Sequence, residues 1–467
     1  MLFNSFVFIY LFLPITVLAF FALRRFSWEA ASLVFLVLAS LFFYSYWNVA
    51  YLALILLSII VNYFTGLVIV KERSNSNFVS GKISVCIGVL FNLALIGYYK
   101  YSYFIADTFS VLGGYETTFE KILLPLAISF FTFQQIAYLV DCYKDQAAER
   151  SFLRYALFVC FFPQLIAGPI VHHKEMLPQF TDSARFKYWK ENTKNGLTLF
   201  SIGLFKKVVI ADTFAVWANE GYSASASITF LASWVATLSY TFQLYFDFSG
   251  YSDMAIGLAL LFGIKLPQNF NSPYRAVNIQ DFWRRWHMTL SRFLRDYVYI
   301  PLGGGRMGGF ITSRNLFLTF LIGGIWHGAG WTFVAWGVFH GAAVIVQRLW
   351  VYTGVKISRV AGWFVTFLFV HLAWVVFRAE DWEIAVAMYQ GMLGKHGLGT
   401  LNTEAAVFIL IFGAVAFAFK NSLDLVRSDR KNIVLFISIC AYFLATLQSI
   451  NASFSNQNLT EFLYFNF

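Results

Sequence analysis

The sequence predicts an all-α integral membrane protein, a multi-helix bundle that crosses the bilayer about ten to twelve times. Of its 467 residues, 59% are hydrophobic and only 12% are charged, whereas a soluble domain carries roughly 25% charged residues. Apolar stretches near the ~20 residues that a transmembrane helix needs recur along the whole chain. The 55 phenylalanines, 25 tyrosines and 14 tryptophans suit lipid-facing rings and the aromatic belts of the membrane interfaces.

The candidate helices are apolar segments separated by polar loops. In chain order they are residues 4–23, 30–46, 48–70, 83–99, 122–140, 152–168, 196–217, 228–247, 314–326, 329–350, 358–377, 404–420 and 432–450. The first segment lacks the positively charged region of a cleavable signal, so we interpret it as a retained helix. Segments 152–168 and 314–326 are short and are candidates for re-entrant segments, which require surrounding protein or a water-filled cavity.

Basic residues gather in the loops that follow the first, third and twelfth segments. They are Arg24, Arg25, Lys71, Arg73, Lys82, Lys420, Arg427, Arg430 and Lys431. Because cytoplasmic loops carry an excess of lysine and arginine, these loops are predicted to be cytoplasmic, which places the N-terminus and the C-terminal tail outside. We attribute the net charge of +10 to this topology and expect no nucleic-acid partner. The predicted organisation is a transmembrane domain over 1–450 and an extracytoplasmic tail over 451–467.

One polar segment stands out in this apolar chain. Residues 268–306 read QNFNSPYRAVNIQDFWRRWHMTLSRFLRDYVYIPLGGGR, and the tripeptide WHG follows at 326–328. Titratable groups near a bilayer are costly, so they mark functional sites by default. The sequence therefore places its candidate catalytic centre here, in a membrane protein.

His327 lies in the motif GGIWHGAGW. Small residues on both sides of it let helix backbones approach closely and leave room for a substrate beside the imidazole. Imidazole titrates near neutral pH, which suits a general base that takes a hydroxyl proton and later returns one. The alternative is a histidine that only packs against a neighbouring helix.

His287 lies in DFWRRWHMTLSRFLRD, whose charged residues cannot all share one helical face. An amphipathic helix at the membrane edge would give the same pattern without a catalytic residue. If His287 and His327 act together, tertiary folding must bring them into contact. His340 follows His327 at a spacing that places it off the same helical face, and we do not assign it to the site.

Several common site types lack their motifs in this chain. There is no GxSxG elbow, Walker A loop or HExxH sequence. The four cysteines form no CxxC pair, so neither a disulfide framework nor a metal site is expected. The run Gly303–Arg306 can either hold a phosphate or form a glycine-rich turn after Pro301.

Three segments together resemble the membrane-bound O-acyltransferase (MBOAT) family, in its bacterial alginate O-acetylase-like branch. They read FFPQLIAGPIVHHKEMLPQF, FDFSGYSDMAIGLALLFGIKLPQNFNSPYRAVNIQDFWRRWHMTLSRFLRDYVYIPLGGGR and GGIWHGAGWTFVAWGVFHG, and they span Phe161 to Gly341. The resemblance implies a central funnel or tunnel and acyl transfer to a hydroxyl. It matches His327 to the essential histidine of the family and His287 to its second polar position.

The resemblance also implies the substrates and partners. The acyl group would come from a cytoplasmic thioester, acetyl-CoA or another donor such as a carrier protein, with no bound cofactor. A separate extracytoplasmic acetyltransferase would complete O-acetylation of a polysaccharide outside the bacterial inner membrane. Arg284, Arg285, Trp286 and Trp326 are the expected substrate-binding residues. A basic mouth for the donor phosphates can come from Arg275, Arg284, Arg285, Arg292, Arg295 and Arg306. The alternatives are D-alanyl transfer to teichoic acid and a transporter without acyl chemistry.

The chain ends in FLYFNF, which resembles the FxYFxF ending found in some bacterial acyl-transfer systems. That resemblance suggests Tyr464 as a covalent acyl relay, because phenolate is a better leaving group than an alkoxide. The alternative is that these aromatic residues only anchor the tail at the membrane interface.

Overall fold

In the computed structural model, which describes residues 1–26, 28–75, 77–427, 438–447 and 462–463, every regular element is a helix. The predicted all-α class is therefore confirmed. The described residues form two compact units. The first contains Met1–Ser201, Asp253–Pro267 and residues 462–463, and the second contains Ile202–Ser252 and the described residues from 268 to 447.

The first unit is built from helices that follow one another along the chain. They are Phe8–Phe12, Leu13–Arg25, Glu29–Ser45, Ala50–Ser74, Phe78–Ile96, Gly97–Tyr101, Ser102–Gly113, Ile128–Asp145, Phe152–Cys160, Phe162–Leu165, His173–Thr181 and Ser183–Tyr188. The helices Trp189–Phe205 and Phe230–Leu261 each run through residues of both units.

The remaining helices belong to the second unit. They are Lys206–Ala211, Asp212–Ser223, Ser225–Ser227, Pro273–Arg275, Ile279–Trp283, Met288–Leu294, Arg295–Tyr299, Gly309–His327, Trp331–Thr353, Arg359–Arg378, Trp382–Met392, Thr403–Ala418, Ser422–Val426 and Ser438–Leu447. The predicted helix 432–450 is thus described only in its centre. Of the tail 451–467, only residues 462–463 are described. Tyr464 lies outside the described residues.

Helices suited to a bilayer occur in both units. Among the described residues, five are long and apolar enough to cross: Phe8–Arg25, Ala50–Ser74, Phe78–Gly113, Trp331–Thr353 and Arg359–Arg378. Shorter apolar helices cover Glu29–Ser45, Thr403–Ala418 and Ser438–Leu447. These helices support an integral membrane protein, while the total of about ten to twelve crossings stays a prediction.

A pair of buried amides joins two membrane helices of the first unit. Asn92 Nδ2 donates to Asn62 Oδ1 at 2.6 Å, and Asn62 Nδ2 donates back to Asn92 Oδ1 at 3.2 Å. Both side chains are fully buried. Polar pairs of this kind hold helices together where lipid offers no competing partner.

Two glycines bring the helices Gly309–His327 and Trp331–Thr353 of the second unit into backbone contact. A Cβ added to Gly324 would lie 2.5 Å from the carbonyl oxygen of Phe333 and 2.8 Å from the Cα of Gly337. A Cβ added to Gly337 would lie 2.7 Å from the carbonyl oxygen of Phe320. The close approach predicted from the small residues around His327 is therefore confirmed.

The helix Phe230–Leu261 is longer than the predicted segment 228–247. The prediction was wrong at its C-terminal end, because it stopped at Asp247 whereas the helix continues to Leu261. The Asp247 carboxylate is buried against Lys207, whose Nζ lies 2.7 Å from Asp247 Oδ1 and 2.8 Å from Asp212 Oδ1. An ion pair with good geometry offsets part of the desolvation cost, so the helix continues past the charge.

Candidate catalytic site

His327 is the last residue of its helix. The chain becomes extended at Gly328 and Gly330 before the next helix begins at Trp331. The imidazole is only 3% exposed and is surrounded by aromatic rings. The centroids of Trp326 and Trp336 lie 5.0 Å from it, and that of Phe377 lies 5.3 Å away. The turn thus places the imidazole inside the second unit.

His287 is fully buried and adopts a left-handed backbone conformation, with φ of 43°. Its Nδ1 lies 3.1 Å from Asn269 Oδ1. The same oxygen accepts hydrogen bonds from the backbone N–H of Thr289 at 3.3 Å and from its hydroxyl at 2.9 Å, which identifies it as the carbonyl oxygen. In the neutral ring, Nδ1 therefore carries the proton and Nε2 carries the lone pair.

Burial also fixes the charge of His287. Desolvation lowers its pKa to about 3, so the imidazole is neutral at physiological pH. Its environment is aromatic, with the ring of Phe248 perpendicular to it at 4.7 Å. His287 can accept a hydrogen bond at Nε2 without carrying a charge.

The two histidines predicted from sequence contact the same indole. The ring of Trp326 lies 5.0 Å from His327 and 6.3 Å from His287, measured between centroids. Tertiary folding therefore brings both imidazoles to one place in the second unit. Trp326, predicted to bind substrate, connects them.

The other predicted substrate-binding residues occupy different surroundings. Arg284 is exposed. Arg285 is half-buried, and its Nε donates to Asp281 Oδ1 at 2.8 Å. Trp286 is buried, with its ring 5.0 Å from that of Trp374. The two arginines thus lie nearer the surface than the histidines, and Trp286 forms part of the aromatic packing.

The spacing prediction for His340 treated it and His327 as members of one helix, and this premise was wrong. The extended residues Gly328 and Gly330 divide the two histidines between two helices. His340 is fully buried, and its ring lies 4.5 Å from that of Trp336, which in turn contacts His327. The glycine-rich sequence between the helices was the signal that could have shown this.

Asn269, which orients His287, was also not singled out from the sequence. Besides accepting from His287 and Thr289, it donates through Nδ2 to Ser252 Oγ at 3.3 Å. Its backbone carbonyl accepts from the N–H of Met288 at 2.9 Å. An asparagine in a polar loop carries no spacing signal, because its partners are distant in sequence.

The run Gly303–Arg306 forms a turn. The N–H groups of Gly303, Gly304 and Arg306 all donate to nearby backbone carbonyls. Asn315 Nδ2 donates to the carbonyl oxygens of Leu302 at 3.0 Å and Gly304 at 3.1 Å. Because these amides already have partners within the chain, the geometry favours a turn over a phosphate-binding loop.

Comparison with known proteins agrees with this architecture. Residues 143–377 match the model of the MBOAT, membrane-bound O-acyltransferase family. The peptidoglycan O-acetyltransferase of Helicobacter pylori is 44% identical over 100% of this chain and 98% of its own length. The probable alginate O-acetylase AlgI of Pseudomonas aeruginosa is 40% identical over 90% of this chain and 81% of its own. The teichoic acid D-alanyltransferase of Bacillus subtilis is 29% identical over 45% of this chain and 55% of its own.

The matched segment contains His287, His327 and Trp326, which the structure brings together. The family resemblance predicted from the sequence motifs is confirmed, and the protein is a membrane-bound acyltransferase. The chain belongs to the membrane-bound O-acyltransferase family.

Proposed function

We propose that this enzyme moves acetyl groups from a cytoplasmic thioester across the membrane for O-acetylation of peptidoglycan. The observation that carries the proposal is the pair of buried histidines on one indole, in a chain similar over its full length to a peptidoglycan O-acetyltransferase. The second unit has polar groups for acyl chemistry inside an apolar protein. A bacterial inner membrane is the proposed location, because the thioester is made inside and the polysaccharide lies outside.

In the proposed reaction, His327 is the general base. It takes the proton of the attacking hydroxyl, and the hydroxyl oxygen forms a bond to the acyl carbon as the carbon–sulfur bond breaks. The proton then passes to the thiolate that leaves. His287 is assigned the role of orienting the hydroxyl, because the lone pair on its Nε2 can accept a hydrogen bond from it.

The proposed donor is acetyl-CoA or another acyl thioester with a charged carrier. Arg275 and Arg359, two exposed cations of the second unit, line a cavity of about 270 Å³ together with Trp363 and Phe417. Guanidinium groups bind phosphate oxygens in a bidentate manner, and an indole beside them offers a surface for a base. This cavity supports a binding place for the phosphate-bearing part of the donor.

Tyr464 and a partner protein would carry the acetyl group from the membrane enzyme to the polysaccharide. We assign Tyr464 to accept the acetyl group as a phenyl ester and to release it to an extracytoplasmic acetyltransferase, which acts on the polysaccharide. The support is the FLYFNF ending and the placement of the tail outside by charge bias.

Tyr464→Phe should abolish polysaccharide acetylation, because it removes only the nucleophilic oxygen and keeps the ring. Mass spectrometry of the wild-type C-terminal peptide should find an added acetyl group. The matched control is Phe462→Tyr, which leaves Tyr464 in place and should acetylate normally. Full activity in Tyr464→Phe would exclude the relay and leave the role of His327 intact.

His287→Asn should keep part of the activity and His287→Ala should lose more, because only asparagine can still accept a hydrogen bond. Equal rates in wild type, His287→Asn and His287→Ala would rule out a polar role for this side chain.

His287 should also make the fold sensitive to acid. Since its pKa is lowered to about 3 in the folded protein, its stabilising contribution is present above the unfolded pKa of ~6.5 and is lost as pH falls below that value. Thermal unfolding in detergent at pH 7 and pH 5 should show a smaller loss for His287→Asn than for wild type. An equal loss in both proteins would contradict the buried neutral ring.

The proposed function is tested by deleting the gene and measuring base-labile esters on the cell envelope. Loss of acetate from peptidoglycan, restored by the wild-type gene, is the expected result. Loss of acetate from an exopolysaccharide would reassign the substrate, and loss of D-alanine from teichoic acid would reassign the acyl group. Unchanged esters in all three polymers would contradict the proposal.

A further inference from the structure

Three buried N–H donors, one of them on a ring that contacts His327, lack an acceptor among the described residues. They are Nε1 of Trp336, Nε1 of Trp374 and Nε2 of His340. The three side chains are at most 1% exposed. Trp336 and His340 lie one turn apart on the helix Trp331–Thr353, and Trp374 lies on Arg359–Arg378.

The tautomer of His340 is fixed by a fourth aromatic residue. Trp283 Nε1 donates a hydrogen bond to His340 Nδ1 at 3.2 Å. An indole nitrogen is only a donor, so Nδ1 must be the acceptor and the proton of the neutral imidazole lies on Nε2. All three nitrogens are therefore donors, and none can accept a hydrogen bond from another.

The three rings form one cluster in contact with the catalytic imidazole. The centroid of Trp336 lies 4.5 Å from that of His340, 5.7 Å from that of Trp374 and 5.0 Å from that of His327. The centroids of His340 and Trp374 are 6.3 Å apart. The cluster joins two helices around the position where the base acts.

Buried donors without partners are rare because each loses its hydrogen bonds to water on folding. Each unsatisfied buried group in a native protein calls for an explanation, and a ligand that supplies the missing acceptor is one. Three donors with no acceptor among them require a ligand that is rich in acceptor lone pairs. A carbonyl oxygen has two lone pairs and gains negative charge when its carbon is attacked.

We propose that Trp336, Trp374 and His340 bind the carbonyl oxygen of the acyl group and stabilise the oxyanion that forms on it. This inference rests on the proposed function, since it assumes acyl transfer beside His327. His327 then removes the hydroxyl proton, while the N–H groups of Trp336, Trp374 and His340 stabilise the charge on the acyl oxygen. Preorganised donors in a dry site hold that charge without having to reorient.

The test uses Trp336→Phe and Trp374→Phe, which keep an aromatic ring and remove one N–H each. CoA release from acetyl-CoA is measured for the full-length enzyme in vesicles that contain peptidoglycan fragments and the partner acetyltransferase. We expect kcat to fall on the order of 10²-fold in each variant, with little change in KM. Both variants should lose some stability, because the smaller phenylalanine leaves unfilled space in a buried site, so kcat is normalised to folded enzyme.

Trp234→Phe is the control, because it removes an indole N–H that already has a partner. Trp234 lies on the helix Phe230–Leu261, and its N–H donates to the backbone carbonyl of Met392 at 3.2 Å. Its removal should leave kcat of the folded enzyme unchanged. A second readout is ultraviolet resonance Raman spectroscopy, which reports indole N–H hydrogen bonding. In the inactive His327→Ala protein, added acetyl-CoA should shift an indole band. In the double variant His327→Ala, Trp336→Phe that shift should be smaller.

Each outcome decides the inference. Wild-type kcat in both tryptophan variants would overturn it and leave the proposed function standing. Indole Raman bands that do not respond to acetyl-CoA in the His327→Ala protein would also overturn it, since the N–H groups would then have structural partners such as ring faces. If wild type releases no CoA although envelope esters depend on the gene, the donor assignment fails. If those esters are also unchanged, the proposed function fails, and in both cases the inference falls with it.

Discussion

Replacing His327 with alanine should abolish acyl transfer while the protein still folds. The imidazole is the expected general base, and loss of a general base typically costs 10²–10⁴-fold in rate. Its ring packs against Trp326, Trp336 and Phe377, so the smaller alanine should cost some stability as well. The measurement is envelope acetate in cells that carry the variant, normalised to the amount of folded protein in the membrane.

A distant histidine provides the control for this change. His396 lies in the connection between Trp382–Met392 and Thr403–Ala418 and is partly exposed. His396→Ala should acetylate the envelope at the wild-type level. Near-normal acetylation by a well-expressed His327→Ala protein would exclude His327 as the base.

Replacing Lys207 with methionine should have the largest effect on stability. Its Nζ contacts Asp247 and Asp212, and both Lys207 and Asp247 have side chains that are only 2% exposed. Removing one member of a buried ion pair leaves an uncompensated charge and typically costs ~3–5 kcal/mol. Native proteins are stable by only ~5–15 kcal/mol, so little folded protein should remain. The yield of monodisperse protein in detergent and its unfolding temperature measure the effect.

A neutralised triple variant separates charge from packing. Lys207→Met combined with Asp247→Asn and Asp212→Asn leaves no buried charge and should recover much of the lost stability. The neighbouring Lys206→Met keeps the ion pair and should change little. If Lys207→Met alone were as stable as wild type, the ion pair would not support the helix Phe230–Leu261.

The sequence predicted the helices whose apolar runs are uninterrupted. The segments 358–377 and 404–420 correspond to Arg359–Arg378 and Thr403–Ala418 in the structure. The glycines beside His327 also predicted close helix packing, because small residues have this effect wherever helices meet in a membrane. These features depend on neighbours in sequence, which is what a pattern can detect.

The parts that were missed depend on residues distant in sequence. Asp247 is buried within its helix against Lys207, which is 40 residues away in sequence. Asn269 lies 3.1 Å from His287 across 18 residues of sequence, and His340 contacts Trp336, which contacts His327, because the chain turns after His327. A carboxylate, an amide and an imidazole look alike in a pattern whether or not they find a partner, so only the tertiary structure distinguishes these cases.

His287 and His340 of the second unit carry their ring proton on opposite nitrogens. Asn269 leaves His287 with a lone pair on Nε2, and Trp283 leaves His340 with a proton on the same atom. The polarity of these two rings comes from neutral dipoles, which are far cheaper to bury than an ion in a medium of low dielectric constant. If acyl transfer takes place beside them as proposed, a neutral acyl group meets these two rings without displacing a counterion.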